Sequence, residues 1–235
     1  MFDSLALAEE TKRIVCKDNS RKYYRFRHAH FYGGIATADC VGCNLRCLFC
    51  WAWNVVTKPE AIGTFYSPQQ VSDRLVSIAE KHNLRKVRIS GNEPTLVKEH
   101  LLSVLHYVPE DLLFILETNG ILIGHDKSYA TDLSNARTNL HVRVCLKGSS
   151  PEEFERLTGA KKEYYDLQFK ALEHLKSAGV DFHPAIMTFI HDNYVEKELS
   201  KIDQSLVDQL EYEEIIPYPA VVDRLRKAGF DVCDV

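Results

Sequence analysis

The stretch CVGCNLRCLFCWAWN, residues 40–54, places four of the chain's seven cysteines close together in one loop. It contains two Cys-x2-Cys pairs, Cys40/Cys43 and Cys47/Cys50, with only three residues between them. Zinc ribbons usually place roughly 12–20 residues between such pairs. The last three cysteines follow the spacing Cys-x3-Cys-x2-Cys, and thiolates in so tight a loop suit an iron–sulfur cluster. Three protein ligands on a four-iron cluster leave one iron open, much as a catalytic zinc keeps a vacant position.

The remaining cysteines are not expected to form a second cluster. Cys40 stands near the end of a predicted strand, and we interpret it as a small buried hydrophobe. Cys16, Cys145 and Cys233 are scattered along the chain, and no appended domain remains to hold another centre. The predicted ligands are therefore Cys43, Cys47 and Cys50.

Composition indicates a folded intracellular protein. The 235 residues are 45% hydrophobic and 26% charged, enough for a large core in one α/β domain or two small ones. The first thirteen residues have neither a basic leader nor a long apolar run, so no signal peptide is expected. No run of about 18 uncharged apolar residues occurs, so we expect no membrane span. In a reducing cytoplasmic setting, clustered cysteines indicate a metal centre rather than disulfides.

A basic and aromatic segment precedes the cysteine loop. Seven Lys or Arg residues and one acid lie between Lys12 and Arg27, interleaved with aromatic side chains. Such a segment is suited to a polyanion or a single-stranded nucleic acid, but a net charge of −4 argues against nucleic-acid binding over the whole surface. We favour a solvated edge strand or arm whose cationic side chains cover apolar surface. His28 and His30, in the same segment, are weak candidates for a site.

Helix signals alternate with apolar strands along the rest of the chain. Ser67-Pro68-Gln69-Gln70 and Ser150-Pro151-Glu152-Glu153 are helix starts. An apolar stripe within Lys162–Ala178 ends at Gly179, another runs from Leu199 to Leu210, and Pro219 begins a last short helix. Six short runs are predicted to be strands: Gly34–Ala38, Lys86–Ser90, Leu112–Leu116, His141–Leu146, Phe182–Ile190 and Glu214–Ile216.

Strand–helix units in series indicate an α/β fold with a parallel sheet and outer helices. The sheet is either an open doubly wound one or a barrel with two units missing. The predicted organisation is an N-terminal arm over 1–33, a core over 34–220, and a C-terminal helix end and tail over 221–235.

Polar, glycine-containing loops follow the first four predicted strands. They read CVGCNLRC, SGNEPT, ETNG and KGSS, in chain order. Loops at the carboxyl ends of parallel strands build the site in such architectures. We therefore expect these four loops to meet on one face. His191-Asp192-Asn193 also closes a predicted strand at that end, and we interpret it as a plain loop.

Two of these motifs resemble a known family. CNLRCLFC, with an aromatic residue before its last cysteine, resembles the cluster-binding signature of the radical S-adenosylmethionine (radical SAM) superfamily. SGNEP, at the end of the next strand, is similar to the Gly-Gly-Glu-Pro motif with which that family holds the methionine amino group. The resemblance implies a partial (β/α)6 TIM-like barrel over roughly residues 34–220. It also implies one 4Fe-4S cluster and S-adenosylmethionine as cofactors.

A finer resemblance concerns ETNG and LKGSSPEEFERLTGA, which are similar to stretches of pyruvate formate-lyase activating enzymes and their relatives. The sequence departs from that pattern twice. Asn92 stands where a second glycine is usual, and Cys145 stands two residues before Lys147 where those enzymes commonly carry Asp. The second departure weakens any detailed transfer of the activating enzymes' substrate chemistry.

The resemblance also implies roles for individual residues. Phe49 packs at the cluster and the adenine. Trp51, Trp53 and Asn54 follow the last ligand, and from their position we expect them to pack the loop rather than contact substrate. Glu93 binds the ammonium group within a backbone that approaches closely. The implied cofactor-binding residues are Phe49, Gly91, Asn92, Glu93, Pro94, Thr118 and Asn119 (ribose or carboxylate), and Arg143 or Lys147 (carboxylate).

The implied activity is reductive cleavage of S-adenosylmethionine to a 5′-deoxyadenosyl radical that abstracts hydrogen from a substrate. The implied partners are an electron donor such as ferredoxin or flavodoxin and a substrate. The substrate is a protein, an RNA or a small molecule, and the sequence does not distinguish among these three. An RNA-modifying enzyme stays an alternative. A non-enzymatic electron-transfer or zinc-stabilised interaction module is another, and Glu93 distinguishes it because such a module needs no glutamate motif.

Overall fold

A computed structural model describes residues 1–190 and 193–231 and contains, over that range, one nine-stranded sheet. The strands are β1 (Cys16–Lys17), β2 (Ser20–Ala29), β3 (Ile35–Cys40), β4 (Thr64–Tyr66), β5 (Lys86–Ser90), β6 (Leu113–Thr118), β7 (Leu140–Lys147), β8 (Asp181–Met187) and β9 (Glu211–Tyr212). The order is β1-β2-β3-β5-β6-β7-β8-β9, with β4 paired to β2. From β3 to β9 the pairings are parallel, whereas β1, β2 and β4 pair antiparallel.

Helices precede, connect and follow the parallel strands. They are α1 (Ser4–Val15), α2 (Trp53–Thr57), α3 (Pro68–Lys81), α4 (Lys98–Tyr107), α5 (Ile121–His125), α6 (Lys127–Ala136), α7 (Pro151–Thr158), α8 (Tyr165–Ser177), α9 (Tyr194–Ile202), α10 (Ser205–Asp208) and α11 (Pro219–Lys227). Within the described ranges, no helix has the length and apolar character needed to cross a membrane.

The two faces of the sheet differ in chemistry, and this difference distinguishes a barrel-type sheet from a doubly wound one. Alternate residues of the parallel strands, such as Ala38, Ile89 and Val144, pack with α3, α4, α6 and α8 in the main hydrophobic core. We call the opposite face the inner face. It carries Thr37, Asp39, Arg88, Ser90, Glu117, Arg143, Cys145 and Lys147, most of them buried.

A doubly wound sheet has apolar helices on both faces. Here the core helices cover one face and the other is lined with charged groups, as in a barrel interior that holds a site. The predicted α/β fold with a mostly parallel sheet and outer helices is confirmed. Over the described strands the sheet stays open, with β1 and β9 as its two ends.

Local signals located several elements correctly. Ser67 caps α3, and the capping box is complete because Ser67 and Gln70 each bond the other's backbone N–H. The Ser150 side chain accepts a hydrogen bond from the Glu153 N–H at the start of α7. β5 has the predicted bounds, Lys86–Ser90.

Two predicted elements differ from the structure by more than the residues at which they begin and end. The strand predicted at Glu214–Ile216 is wrong. The strand is Glu211–Tyr212, because these residues pair with Ala185 and Ile186 at the end of the sheet. The stripe from Leu199 to Leu210 is divided between α9 and α10, with Asp203 ending the first helix in an extended conformation.

The N-terminal segment is part of the sheet. α1 leads into β2, which pairs antiparallel with β3 from Tyr23 to Ala29. The expectation of solvated cationic side chains is wrong for Arg21 and Lys22, which are 1% and 8% exposed. Both donate hydrogen bonds to backbone carbonyl groups of neighbouring loops, which supply the partners that a buried cation needs.

Candidate functional site

The cysteine loop follows β3 and is held from both sides by backbone contacts. Leu48 N donates to Leu157 O at 2.8 Å, which ties the loop to the end of α7. Arg224 of α11 donates from Nε to Leu48 O at 2.9 Å and from Nη2 to Cys50 O at 2.6 Å. Within the loop, Leu45 N donates to Cys43 Sγ at 3.4 Å, and Cys50 N donates to Cys47 O at 3.0 Å. The backbone around all three predicted ligands is therefore fixed.

The thiols of this loop lie near one another. Burial raises the pKa of Cys43 well above its usual value, and the neighbouring Glu93 and Cys47 raise it further. Burial also raises the pKa of Cys47, to about 12, although Lys147 opposes the rise. In an empty site these thiols stay protonated, and a bound metal centre would displace the protons because thiolate is the ligand form.

The donor set fits a cluster better than a single ion. Among the described residues, no three His, Cys, Asp or Glu side chains converge on a point where one metal ion would sit. In a four-iron cluster each cysteine binds a different iron, so the sulfur atoms need not converge on a point. Three neighbouring thiols in one loop therefore suit a 4Fe-4S cluster, in which one iron would keep an open position.

The other cysteines lie elsewhere in the fold. Cys40 is fully buried in the main core on the helix side of β3, as expected for a small hydrophobe. The Cys16 thiol donates to Asp18 O at 3.3 Å, and Cys145 is buried on the inner face. Cys233, like His191 and Asp192, lies outside the described residues.

The loop after β5 is joined to the cysteine loop. Gly91 has φ +98°, and a Cβ there would lie 2.9 Å from Asp39 Cβ, so a larger residue would force the two strands apart. Asn92 Oδ1 accepts from Gly42 N at 2.9 Å, and Glu93 N donates to Gly42 O at 2.9 Å. The asparagine in place of the usual second glycine thus ties the two loops together through its side chain.

Arg21 of β2 supports the loop that follows β5. Its guanidinium donates to Glu93 O at 2.6 Å and also to Pro94 O. The buried cation of β2 therefore fixes two consecutive backbone carbonyl groups, those of Glu93 and Pro94.

Glu93 is the centre of a buried hydrogen-bond network, and it is 1% exposed. Its Oε1 accepts from Thr95 N at 3.0 Å, Thr95 Oγ1 at 2.6 Å and Thr118 Oγ1 at 2.7 Å. Its Oε2 accepts from Asn119 N at 2.8 Å. The Asn119 side chain donates to Asn44 Oδ1 at 2.8 Å, next to Cys43. Oε2 carries one hydrogen bond and retains capacity for a further donor such as an ammonium group.

A second charged cluster lies on β7, at the other side of the cysteine loop. Lys147 Nζ lies 3.0 Å from Glu213 Oε2 and 5.4 Å from the centre of the Phe49 ring. Arg143 donates to Glu211 and Glu213, and from Nη1 to Cys145 Sγ at 3.0 Å. Burial alone would raise the pKa of Glu213, but Lys147 and Arg143 lower it to about 2.

The structure thus brings some of the predicted residues together and separates others. Glu93, Thr118 and Asn119 share one network beside Cys43, and Lys147 and Phe49 meet beside Cys47. Arg143 lies on β7 two residues before Cys145, further from the carboxyl end of the strand, and its guanidinium donates to Glu211 and Glu213. The rings of His28 and His30 pack against each other at a tilt, and His28 also packs against His82 at the end of α3, so they do not join the site.

Sequence reasoning missed three groups of ion pairs on the inner face. Glu211 and Glu213 pair with Arg143 and Lys147, Arg25 and Arg27 pair with Asp39, and Arg88 pairs with Glu117 at 2.6 Å. The available signal was alternation: in the strand runs of the chain, residues two apart carry charges that a half-buried strand turns to the same face.

Three thiols in one loop and a buried glutamate in the next, both at the carboxyl ends of parallel strands, define the class of site that binds a metal centre together with a charged cofactor. The family model of the Radical SAM superfamily matches residues 39–202. The chain belongs to this superfamily. Membership gives it one 4Fe-4S cluster and S-adenosylmethionine as cofactors, as predicted.

Curated relatives include the probable GTP 3′,8-cyclase of Methanococcus vannielii, 32% identical over 123 residues, which cover 52% of this chain and 38% of the relative. Another is the GTP 3′,8-cyclase of Syntrophomonas wolfei, 30% identical over 154 residues, 63% of this chain and 43% of the relative. The chain thus matches less than half the length of either. These relatives do not carry the name of a pyruvate formate-lyase activating enzyme, so they give the finer resemblance no support.

Among solved structures, Streptococcus suis SuiB bound to S-adenosylmethionine superposes with a TM-score of 0.57. The sequences are 18% identical, and the match covers 80% of this chain and 44% of SuiB. At this identity the likeness concerns the fold alone.

Proposed function

We propose that this protein cleaves S-adenosylmethionine reductively and abstracts a hydrogen atom from a polar substrate bound against the inner face. The observation that carries the proposal is the Glu93 network. One buried carboxylate connects the loop after β5 with Thr118 at the end of β6 and Asn119 directly after it, beside Cys43. An electron-transfer or zinc module has no use for such an arrangement.

Each residue then has a task in holding the cofactors. Cys43, Cys47 and Cys50 bind the 4Fe-4S cluster, which supplies, when bound and reduced, the electron for sulfonium cleavage. Glu93 accepts a hydrogen bond from the ammonium group of S-adenosylmethionine through Oε2. Thr118 keeps Oε1 occupied and so fixes the direction of Oε2.

Lys147 is the better of the two candidates for the methionine carboxylate. It lies beside Cys47 and over Phe49, whereas all three nitrogen atoms of the Arg143 guanidinium already donate to Glu211, Glu213 or Cys145. Arg143 instead positions Glu213, which in turn orients Lys147.

GTP is the first substrate to test, because the curated relatives above are named GTP 3′,8-cyclases. A glycyl-radical protein or an RNA ranks below it, since no contact in the described residues favours either. The reductant is a low-potential electron carrier such as ferredoxin or flavodoxin.

The test is an anaerobic turnover assay. Reconstituted protein is reduced with dithionite in the presence of S-adenosylmethionine, with and without GTP, and 5′-deoxyadenosine and nucleotide products are measured by mass spectrometry. We expect 5′-deoxyadenosine in both samples, more of it with GTP, and conversion of GTP. Unchanged release and intact GTP would overturn GTP as substrate, and absence of 5′-deoxyadenosine from both samples would overturn the enzyme proposal itself.

A further inference from the structure

Two arginines of β2 converge on one buried carboxylate of β3. Arg25 Nε lies 2.6 Å, and Arg27 Nε 2.9 Å, from the same oxygen, Asp39 Oδ2. The strand register puts Arg25 opposite Asp39 and Arg27 opposite Thr37, so both side chains belong to the inner face. Asp39 is fully buried.

The remaining donors of this pair are unused. Over residues 1–190 and 193–231, the Nη atoms of Arg25 and Arg27 donate no hydrogen bond, and the two side chains are 41% and 26% exposed. Asp39 Oδ1 is buried and likewise has no partner. The carboxylate therefore orients two guanidinium groups through Nε while it leaves their outer edges available.

The charge at this point is unbalanced. Two guanidinium cations share one carboxylate, so a net positive charge remains and the two cations repel each other. The neighbouring Arg88 is already engaged, through Thr37 Oγ1 at 3.0 Å and Glu117 Oε1 at 2.6 Å, and its pairing with Glu117 leaves that imbalance in place. A further anion bound between Arg25 and Arg27 would relieve the repulsion.

The pair lies between the two loops that hold the cofactors. Asp39 packs against Gly91 so closely that a Cβ at residue 91 would clash with Asp39. The Arg25 guanidinium lies over the Trp51 ring at 5.3 Å, and Trp51 follows the cluster ligand Cys50 directly. An anion held here sits beside both cofactor loops.

We propose that Arg25 and Arg27, oriented by Asp39, form the subsite that binds an oxyanion of the substrate. The guanidinium fork matches phosphate and carboxylate oxygens in geometry and charge, and we assign the subsite to the phosphates of a nucleotide. This assignment rests on the proposed function, whereas the subsite does not depend on GTP being the nucleotide.

The experiment measures binding to the reconstituted, anaerobic protein by equilibrium dialysis. The probes are GTP, inorganic tripolyphosphate, the tricarboxylate tricarballylate, and S-adenosylmethionine. The variants are Arg25→Gln, Arg27→Gln and the double lysine variant Arg25→Lys/Arg27→Lys, which keeps the charge and loses the fork. Arg85→Gln is the control, since Arg85 is 77% exposed and lies away from the inner face, 3.9 Å from Asp111.

We expect each glutamine variant to bind GTP and tripolyphosphate about ten- to a hundredfold more weakly, because a charged hydrogen bond is lost. The double lysine variant should fall between these and the parent, and the control should match the parent. Affinity for S-adenosylmethionine should stay unchanged in all of them.

Three results would overturn the subsite: GTP and tripolyphosphate affinities unchanged in the glutamine variants, an equal loss of S-adenosylmethionine binding, or a parent that binds none of the three anions. Arginine-dependent binding of tricarballylate alone would keep the oxyanion subsite and overturn the phosphate assignment. Failure of the proposed function is separate, because it is read from 5′-deoxyadenosine release by the parent.

Discussion

The substitution Glu93→Gln replaces a buried carboxylate at the centre of the site by a neutral amide of the same size and shape. The carboxylate accepts four hydrogen bonds, three at Oε1 and one at Oε2, in a position that is 1% exposed. A glutamine must place its NH2 group at one of these two positions. The less costly choice is the Oε2 position, where the NH2 group faces the donor Asn119 N.

The magnitude follows from that donor–donor contact. A buried N–H left without an acceptor costs about 1–3 kcal/mol, and the three remaining bonds weaken because their acceptor is no longer charged. We expect Glu93→Gln to lower the free energy of unfolding by about 2–4 kcal/mol. Loss of the charged acceptor for the ammonium group should weaken S-adenosylmethionine binding roughly ten- to a hundredfold.

Urea unfolding and equilibrium dialysis with S-adenosylmethionine measure the two effects, and iron content checks that the cluster is retained. Glu99→Gln is the matched control, because Glu99 lies close by in α4 and its side chain is 69% exposed. Parent-like S-adenosylmethionine affinity in Glu93→Gln would remove Glu93 from the cofactor site and refute the reasoning.

Three further predictions concern the surroundings of the site. Gly91→Ala should lower the unfolding free energy by about 1–3 kcal/mol more than Gly179→Ala, since both have positive φ but a Cβ only at Gly91 meets backbone; equal losses in urea unfolding would contradict this. Burial lowers the pKa of His100 to about 4 from 6.5, so the unfolded state binds more protons below pH 6.5 and unfolding free energy should fall by up to about 3 kcal/mol between pH 6.5 and 4. His100→Gln should remove that part of the slope, and parallel pH curves for variant and parent would refute it. Finally, RNA affinity measured by fluorescence anisotropy should show no steep salt dependence, because Arg21 and Lys22 are buried; a steep loss with added salt, abolished by Arg25→Gln/Arg27→Gln, would favour RNA as substrate.

Elements with complete local signals were predictable from the sequence. The start of α3 follows from Ser67 and Gln70, which satisfy each other's backbone donors without help from the rest of the fold. β9 was misplaced because local β-propensity favours Glu214–Ile216, whereas pairing with β8 selects Glu211–Tyr212.

The same distinction holds for the site. The cysteine and SGNEP loops were found because their chemistry is concentrated in a few adjacent residues. Arg21 was expected in solvent, because the carbonyl groups of Glu93 and Pro94 that receive it are remote in sequence. The glutamate partners of Arg143 and Lys147 are equally remote: alternation assigns the two cations to one face of their strand, but it does not identify the glutamates that pair with them.

The most direct test of the account is the amount of 5′-deoxyadenosine released per chain by four single variants: Cys43→Ala, Cys47→Ala, Cys50→Ala and Cys40→Ala. Each protein is reconstituted anaerobically, reduced with dithionite and supplied with S-adenosylmethionine. We predict that the first three release none, because each lacks one of three cluster ligands, and that Cys40→Ala releases as much as the parent, because Cys40 lies in the core. Release by any of the first three, or its loss in all four alike, would contradict the three-ligand site.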